Sequence, residues 1–123
     1  MGSRDPVERL PLSPPVFQVL LSLSRGPMHG YALLTDIRSR SDATIELGAG
    51  TLYAAIKRMT AAGMVEACDP PEGESGGDAR RKFYQITEHG RAIAHEESRR
   101  VTALARLARS RFGSLAPEGP TGG

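Results

Sequence analysis

The order of its helix and strand patterns is the feature that most constrains this chain. Apolar residues recur at helical spacing in three segments between residues 13 and 62, and a fourth helical pattern runs from about 88 to 112. Between them, residues 64–67 and 82–87 alternate as strands do. Three helices, a β-hairpin and a further helix are the order of a winged helix-turn-helix. We therefore predict a mainly helical fold with a small β-hairpin and a C-terminal helix.

The first two helices carry boundary and core signals. Ser13 is the predicted N-cap of the first helix, the prolines at 14–15 suit its first turn, and the Gly-Pro pair at 26–27 ends it. Arg38 and Arg40 lie near the end of the second helix, in the segment HGYALLTDIRSR, where positive charge favours the helix dipole. We expect the buried stripes of the two helices to contain Val16, Val19, Leu20, Leu23, Leu33, Leu34 and Ile37.

The third helix, predicted from about Gly50 to Ala62 and ended by Gly63, contains the stretch AGTLYAAIKRM. Its core positions are Leu52, Ile56 and Met59. The rest of the helix is predicted to be largely exposed, and this outer face comprises Thr51, Ala54, Ala55, Lys57, Arg58 and Ala62. A helix that reads the major groove needs small side chains near the DNA and long donors that reach bases or phosphates. The outer face fits that need, with Thr51, Lys57 and Arg58 as candidates for base contacts.

The two strand segments are predicted to pair as a hairpin. One side of the second strand carries Lys82, Tyr84 and Ile86, and the other side carries Phe83, Gln85 and Thr87. The intervening segment 68–81 is rich in proline, glycine and acidic residues, so we expect a long, mobile hairpin tip. Cys68 lies at the edge of this tip, where an exposed thiol could act as a redox sensor. No activating group is visible beside it, so we expect an inert thiol.

Thr87 is the predicted N-cap of the last helix, with Glu88 in its first turn. At about 1.5 Å per residue, a helix over 88–112 would be roughly 37 Å long, which exceeds what a small core needs. A seam at 3-4-4 spacing follows its length and consists of Val101, Leu104, Ala108 and Phe112. This seam could cover the first helix of the same chain. The excess length favours contact with a second copy instead.

Composition indicates one soluble globular domain, because 39% of the 123 residues are hydrophobic and 24% are charged. We expect a flexible arm at 1–11, a DNA-binding domain at 12–87, a dimerisation helix at 88–112 and a flexible tail at 113–123. No segment is long and apolar enough to cross a membrane, and no secretion signal is visible. The sequence pI of about 9.0 reflects clustered arginines, which suit a polyanionic partner.

The sequence offers little for catalysis or metal binding. His29, His89 and His95 are dispersed, with no cysteine or carboxylate cluster at ligand spacing, so we expect structural or surface roles for them and no bound metal. There is no glycine-rich phosphate loop, no pair of carboxylates on one helical face, and no nucleophile with a base partner. We therefore predict that the chain is not an enzyme and uses no cofactor.

Three blocks, GPMHGYALLTDI, LGAGTLYAAIKRMTAAGMVEA and RRKFYQITEHGRA, resemble the PadR family of bacterial transcriptional regulators in order and separation. The resemblance covers about residues 12–94 and is to the short type with a single C-terminal helix. It implies a dimeric, cytoplasmic winged-helix protein that binds DNA, usually as a repressor, and in some members responds to small, often aromatic, ligands. The DNA-contacting residues it implies are Tyr31, Thr51, Tyr53, Lys57, Arg58, Arg80, Arg81 and Lys82. The segment GGDARRKFY differs from the more compact Gly-Arg-Pro-Arg-Lys-type run common in the family.

Several positions have alternative interpretations. Lys57 and Arg58 could form an ordinary solvated helix face, and the basic run at 80–82 could keep a strand edge soluble. Tyr31 and Tyr53 could be core residues whose hydroxyl groups are satisfied within the protein, or could contact phosphate. A winged-helix module that binds another protein is the alternative function. The effector, if one exists, is unknown from the sequence.

Overall fold

The computed structural model describes residues 10–40, 47–71 and 82–113, and all of the predicted helices and strands occur there in the predicted order. The architecture is mainly helical with a small antiparallel sheet, as predicted. The elements are α1 (Pro14–Leu23), β1 (Met28–His29), α2 (Gly30–Arg40), α3 (Ala49–Ala61), β2 (Val65–Cys68), β3 (Phe83–Ile86) and α4 (Glu88–Phe112).

The sheet has three strands in the order β1-β3-β2, one strand more than predicted. The predicted hairpin forms, with each strand within about one residue of its expected bounds, and Ala67 pairs with Tyr84 across it. The strand β1 was missed because two residues are too short to show an alternating pattern. Its pairing of Met28 with Tyr84 ties the start of α2 to the hairpin.

Helices α1, α2 and α3 enclose the core together with β2, β3 and the first turns of α4. All seven predicted core residues of the first two helices are buried, as are Leu52, Ile56 and Met59. One expectation was wrong: Ala55 has 0% exposure, so it belongs to the core and not to the outer face of α3. Ser13 is the N-cap of α1, as predicted, with prolines in the first turn. Its side chain makes no cap hydrogen bond, and Pro15, two positions on, has no N–H to donate to it.

Polar groups join α1 to α2. The buried Ser22 hydroxyl donates a 2.6 Å hydrogen bond to the Asp36 carboxylate, and Arg40 Nη1 donates to the same carboxylate at 2.9 Å. Arg40 also donates to Gln18 Oε1 at 2.7 Å. The hydrogen bond from Ser22 is the main cause that lowers the pKa of Asp36. The paired carboxylate therefore holds the two helices together at neutral pH.

One junction connects the end of α3, the sheet and the start of α4. Gly63 follows the C-cap of α3 with a φ of 78°, a conformation that favours glycine. The Thr87 hydroxyl donates to the carbonyl of Gly63 at 2.6 Å and accepts the Gly90 N–H at 2.9 Å, which makes Thr87 the predicted N-cap. The Thr87 N–H donates to the Met64 carbonyl at 3.0 Å. A Cβ on Gly90 would overlap that carbonyl oxygen.

A buried charge connects α4 to the segment before α1. The Glu97 side chain is 2% exposed, and its carboxylate accepts the Leu12 N–H at 3.0 Å. Arg100 donates to the same carboxylate from Nε at 2.6 Å and from Nη2 at 2.9 Å. These bonds from Arg100 are the main cause that lowers the pKa of Glu97. Beyond this point α4 leaves the core, and residues 101–113 are all exposed.

The close contact at this junction leads us to expect that replacing Gly90 by alanine destabilises the protein. Alanine in place of glycine within a helix ordinarily stabilises by up to about 1 kcal/mol. Gly90→Ala should instead lower the free energy of unfolding by about 2 kcal/mol or more, because the added Cβ meets the Met64 backbone. Gly50→Ala is the control, since a Cβ there meets nothing within 4 Å and should not destabilise. Urea titration followed by circular dichroism measures both, and a Gly90→Ala protein as stable as the control would contradict this packing.

The buried Glu97 carboxylate should make a contribution to the free energy of unfolding that is lost at acid pH. Its folded pKa is lowered, so its contribution is present above the unfolded pKa of about 4.5 and is lost as the pH falls through the lower folded value. Glu97→Gln should be less stable at pH 7 and should lose less stability on acidification than the parent. The remaining acid response would include that of Asp36, whose pKa is lowered as well. Unfolding curves at pH 7 and pH 4 give the comparison, and parallel acid losses in both proteins would rule out this role.

Candidate nucleic-acid interface

The outward face of α3 is exposed because the inward positions fill the core. Leu52, Ala55, Ile56 and Met59 point inward, which leaves Thr51, Ala54, Lys57 and Arg58 at the surface. No acidic residue lies in α3. The helix therefore presents two long cations among small side chains, on a face that is free to enter a groove.

Tyr53 is both a packing residue and a surface residue. It is 48% exposed, yet its ring lies over Gly30 at the start of α2, where its hydroxyl occupies the space that a Cβ would need. Glycine at position 30 thus lets α2 and α3 approach closely. The two interpretations of Tyr53 are both partly realised, because the ring packs against α2 while half of the side chain meets solvent.

A groove of about 390 Å³ separates α3 from the hairpin. Its lining residues are Tyr53, Ile56, Lys57, Thr60, Ala61, Ala67, Lys82 and Tyr84. The floor is apolar, and the two lysines place positive charge on it. Burial is the main cause that raises the pKa of Tyr84, and the neighbouring Tyr53 adds to it, so the phenol stays neutral at physiological pH. Such a surface suits a partner with apolar and anionic parts.

Most of the predicted DNA-contacting residues lie within the described part of the chain, and two of them do not. Thr51, Tyr53, Lys57 and Arg58 share α3. Lys82 lines the groove together with Tyr53 and Lys57. Tyr31 is 68% exposed on the first turn of α2. Arg80 and Arg81, like most of the loop 68–81, lie outside the described residues.

Sequence reasoning missed three residues near these surfaces. Tyr84 and Thr60 line the groove, and Leu107 is an exposed apolar residue on α4. The strand alternation already placed Tyr84 on the same side as Lys82, so a signal for Tyr84 existed. No signal in the sequence identified Thr60, because the groove arises only when the hairpin folds beside α3.

The predicted seam on α4 is exposed along its length. Leu104 is 53% exposed and Phe112 is 70% exposed, and Val101, Leu107 and Ala108 are exposed with them. The alternative that this seam covers α1 of the same chain is therefore wrong. The apolar residues of this stripe are therefore not buried by the described part of the chain.

The structure also bears on three further questions from the sequence: the role of Cys68, metal binding and a membrane-spanning helix. Cys68 is partly buried, and its pKa is raised, mainly by burial and further by the nearby Asp69 and Glu66, which lowers its reactivity. Within residues 10–40, 47–71 and 82–113, no three His, Cys, Asp or Glu side chains lie close enough together to hold a metal ion. No helix in these ranges combines the length and apolar character needed to span a bilayer.

Comparisons with solved structures agree with this architecture. A PadR family transcription regulator from Clostridium difficile superimposes with a TM-score of 0.70 and 25% identity, over 82% of this chain and 100% of that one. PadR of Bacillus subtilis in complex with operator DNA has a TM-score of 0.59 and 19% identity, over 70% of this chain and 47% of that one. The second likeness shows the fold, which confirms the predicted winged helix.

Two curated relatives are longer than the region they share with this chain. An uncharacterised 37.1 kDa protein of a Streptomyces fradiae transposon is 34% identical over 100 residues, which are 81% of this chain and 26% of that protein. Uncharacterised protein X of Lysinibacillus sphaericus is 29% identical over 68 residues, 55% of this chain and 60% of that protein. The chain thus spans about a quarter of the first relative and three fifths of the second.

The model of the transcriptional regulator PadR-like family matches residues 19–96, more than half of the chain. This range runs from α1, through the exposed face of α3 and the hairpin, to the first turns of α4. Family members are transcriptional regulators and not enzymes, which confirms that expectation from the sequence. The chain belongs to the PadR-like family of transcriptional regulators.

Proposed function

We propose that this regulator is a homodimeric repressor that binds a pseudo-palindromic operator and is released by a small-molecule effector or another signal. One observation carries the proposal: α3 presents an exposed face with two cations and no acidic residue beside a groove that holds a third cation. The proposed DNA-binding unit is 12–87, the proposed dimerisation helix is 88–112, and the proposed location is the bacterial cytoplasm.

The proposed DNA contacts divide by chemistry. Base contacts come from Thr51, Lys57 and Arg58, which lie on the exposed face of α3. Phosphate contacts come from Tyr31, Tyr53, Arg80, Arg81 and Lys82. The groove beside α3 suits a sugar-phosphate segment, because its apolar floor can meet a deoxyribose while Lys82 meets the phosphate.

The proposed dimer forms along α4. The stripe of Val101, Leu104, Ala108 and Phe112, extended by Leu107, is apolar and exposed, and burying it against a second copy would stabilise the pair. A two-fold axis would then relate the two α3 helices. Their half-sites would lie about one helical turn, roughly 10 base pairs, apart.

The proposed switch acts on the spacing of the two α3 helices. An effector bound between the DNA-binding unit and α4 would change the angle at which α4 leaves the core after Glu97, and a small shift would misalign both helices with successive grooves. The operator affinity of the dimer with and without an effector tests this step. Equal affinities would exclude it.

Removing the two cations of α3 should weaken DNA binding and its dependence on salt. For Lys57→Ala/Arg58→Ala, we expect the operator affinity to fall by about tenfold or more, because the proposed base contacts are lost. Each of the two cations that also neutralises a phosphate adds a fall of about 0.9 in the magnitude of the slope of log affinity against log salt concentration. The matched control is Arg99→Ala/Arg106→Ala, which removes two exposed cations from α4. Mobility-shift titrations at two salt concentrations give the slopes. If the α3 variant kept the parental affinity and slope, the protein-binding alternative would be favoured.

A charge in the α4 stripe should separate the two copies. Leu104→Glu places a carboxylate in the proposed interface and should shift the protein toward monomer, with a loss of operator affinity of about tenfold or more. Ala103→Glu adds the same charge at the neighbouring exposed position, outside the apolar stripe, and should leave the dimer intact. Sedimentation velocity over a range of concentrations distinguishes them. Equal dimer fractions for both variants would show that the stripe is not the interface.

A further inference from the structure

Arg38 joins the end of α2 to the start of α3. Its Nε donates to the carbonyl oxygen of Leu47 at 3.1 Å, and its Nη2 donates to the same oxygen at 2.9 Å. Arg38 lies in the last turn of α2, whereas Leu47 stands two residues before the first residue of α3. A guanidinium that donates twice to one carbonyl fixes both its distance and its direction.

Leu47 is held at two points. Its side chain is 4% exposed and belongs to the main core cluster, while its carbonyl accepts the two bonds from Arg38. The next residue, Gly48, is the N-cap of α3 and has no side chain to cap the helix. The first turn of α3 therefore depends on the backbone just before it, because Gly48 supplies only its carbonyl, to the Leu52 N–H at 3.0 Å.

The position of Leu47 determines where the exposed face of α3 lies, and this face carries the proposed base-contacting residues Thr51, Lys57 and Arg58. Thr51 follows it by four residues, so a change in the path of the chain at Leu47 moves the first turn of α3 relative to α2. Met59, at the far end, has 0% exposure and stays held by the core. A shift at the start of α3 would therefore tilt the helix in its groove. Bidentate base contacts require correct placement, whereas phosphate attraction tolerates displacement.

We propose that Arg38 is a positioning residue for α3 and determines how well the protein distinguishes its operator from other DNA, without itself contacting DNA. The inference rests on the proposed DNA-binding function. From the sequence, Arg38 was expected only to interact favourably with the dipole of α2. The proposal gives it a second role.

Three substitutions separate positioning from phosphate contact. Arg38→Met removes the donors and the charge. Arg38→Lys keeps the charge but can supply only one donor direction. Arg40→Met is the matched control, since it removes an equal charge from the same helix but breaks contacts to Gln18 and Asp36 instead of contacts to α3.

The affinity of each protein is measured for two duplexes by mobility shift at two salt concentrations. One duplex is selected by the parent protein from a random-sequence library, and the other is a scrambled duplex of the same length and composition. The active fraction of each preparation is measured by stoichiometric titration, so partial unfolding does not enter the affinities. A parent protein that selects no sequence would refute the proposed function, whereas the variants test Arg38 once a selected sequence exists.

Positioning predicts that Arg38→Met lowers the ratio of specific to scrambled affinity about tenfold, the loss expected when hydrogen bonds from a charged group are removed. The salt slope and the affinity for scrambled DNA should stay at the parental values, and Arg38→Lys should recover only part of the ratio. Arg40→Met should keep the parental ratio.

Two results would overturn the inference. A fall in the salt slope of about 0.9 for Arg38→Met, with full recovery in Arg38→Lys, would identify Arg38 as a phosphate contact. An unchanged specificity ratio in Arg38→Met, or an equal loss in Arg40→Met, would show that the bonds to Leu47 do not position the reading helix.

Discussion

The structure depends on the junction where the backbone of Met64 meets the first turn of α4. The Thr87 N–H bonds to the Met64 carbonyl, the Thr87 hydroxyl bonds to the Gly63 carbonyl, and the close approach requires glycine at position 90. These contacts fix three elements at one point: the end of α3, the hairpin and α4. The hairpin therefore stands beside α3, and α4 leaves the core in a defined direction.

The proposed DNA-binding surface and the proposed dimer surface both depend on this junction. The groove beside α3 exists because the hairpin is held next to it, and both Lys57 and Lys82 line it. On the other side, α4 packs through Ile93 and Glu97 and then extends into solvent with its apolar stripe exposed. The start of α3 is held separately, by the buried side chain of Leu47 and the two bonds from Arg38. A helix anchored at both ends can place its exposed side chains reproducibly.

The helices were predictable wherever local signals agreed. Thr87 as N-cap and the span 88–112 of α4 were predicted as the structure has them, because the cap, the first-turn glutamate and the helical period all coincide. The errors arose where local signals are weak or shared. Ala55 was assigned to the outer face because alanine has no clear preference, and the packing of α3 placed it inside. The two residues of β1 became a strand only through pairing with β3.

The sequence by itself determined the order of the four helices and the hairpin, the large residues of the buried stripes and the absence of acidic residues from α3, because these follow from periodicity and residue type within one segment. Only the tertiary structure decided the roles that need two segments. It placed the Tyr53 ring over Gly30, exposed the α4 stripe and joined Arg38 to Leu47. Contacts between distant segments depend on how the helices pack. Periodicity within one segment carries no information about how close that segment lies to another in the folded protein.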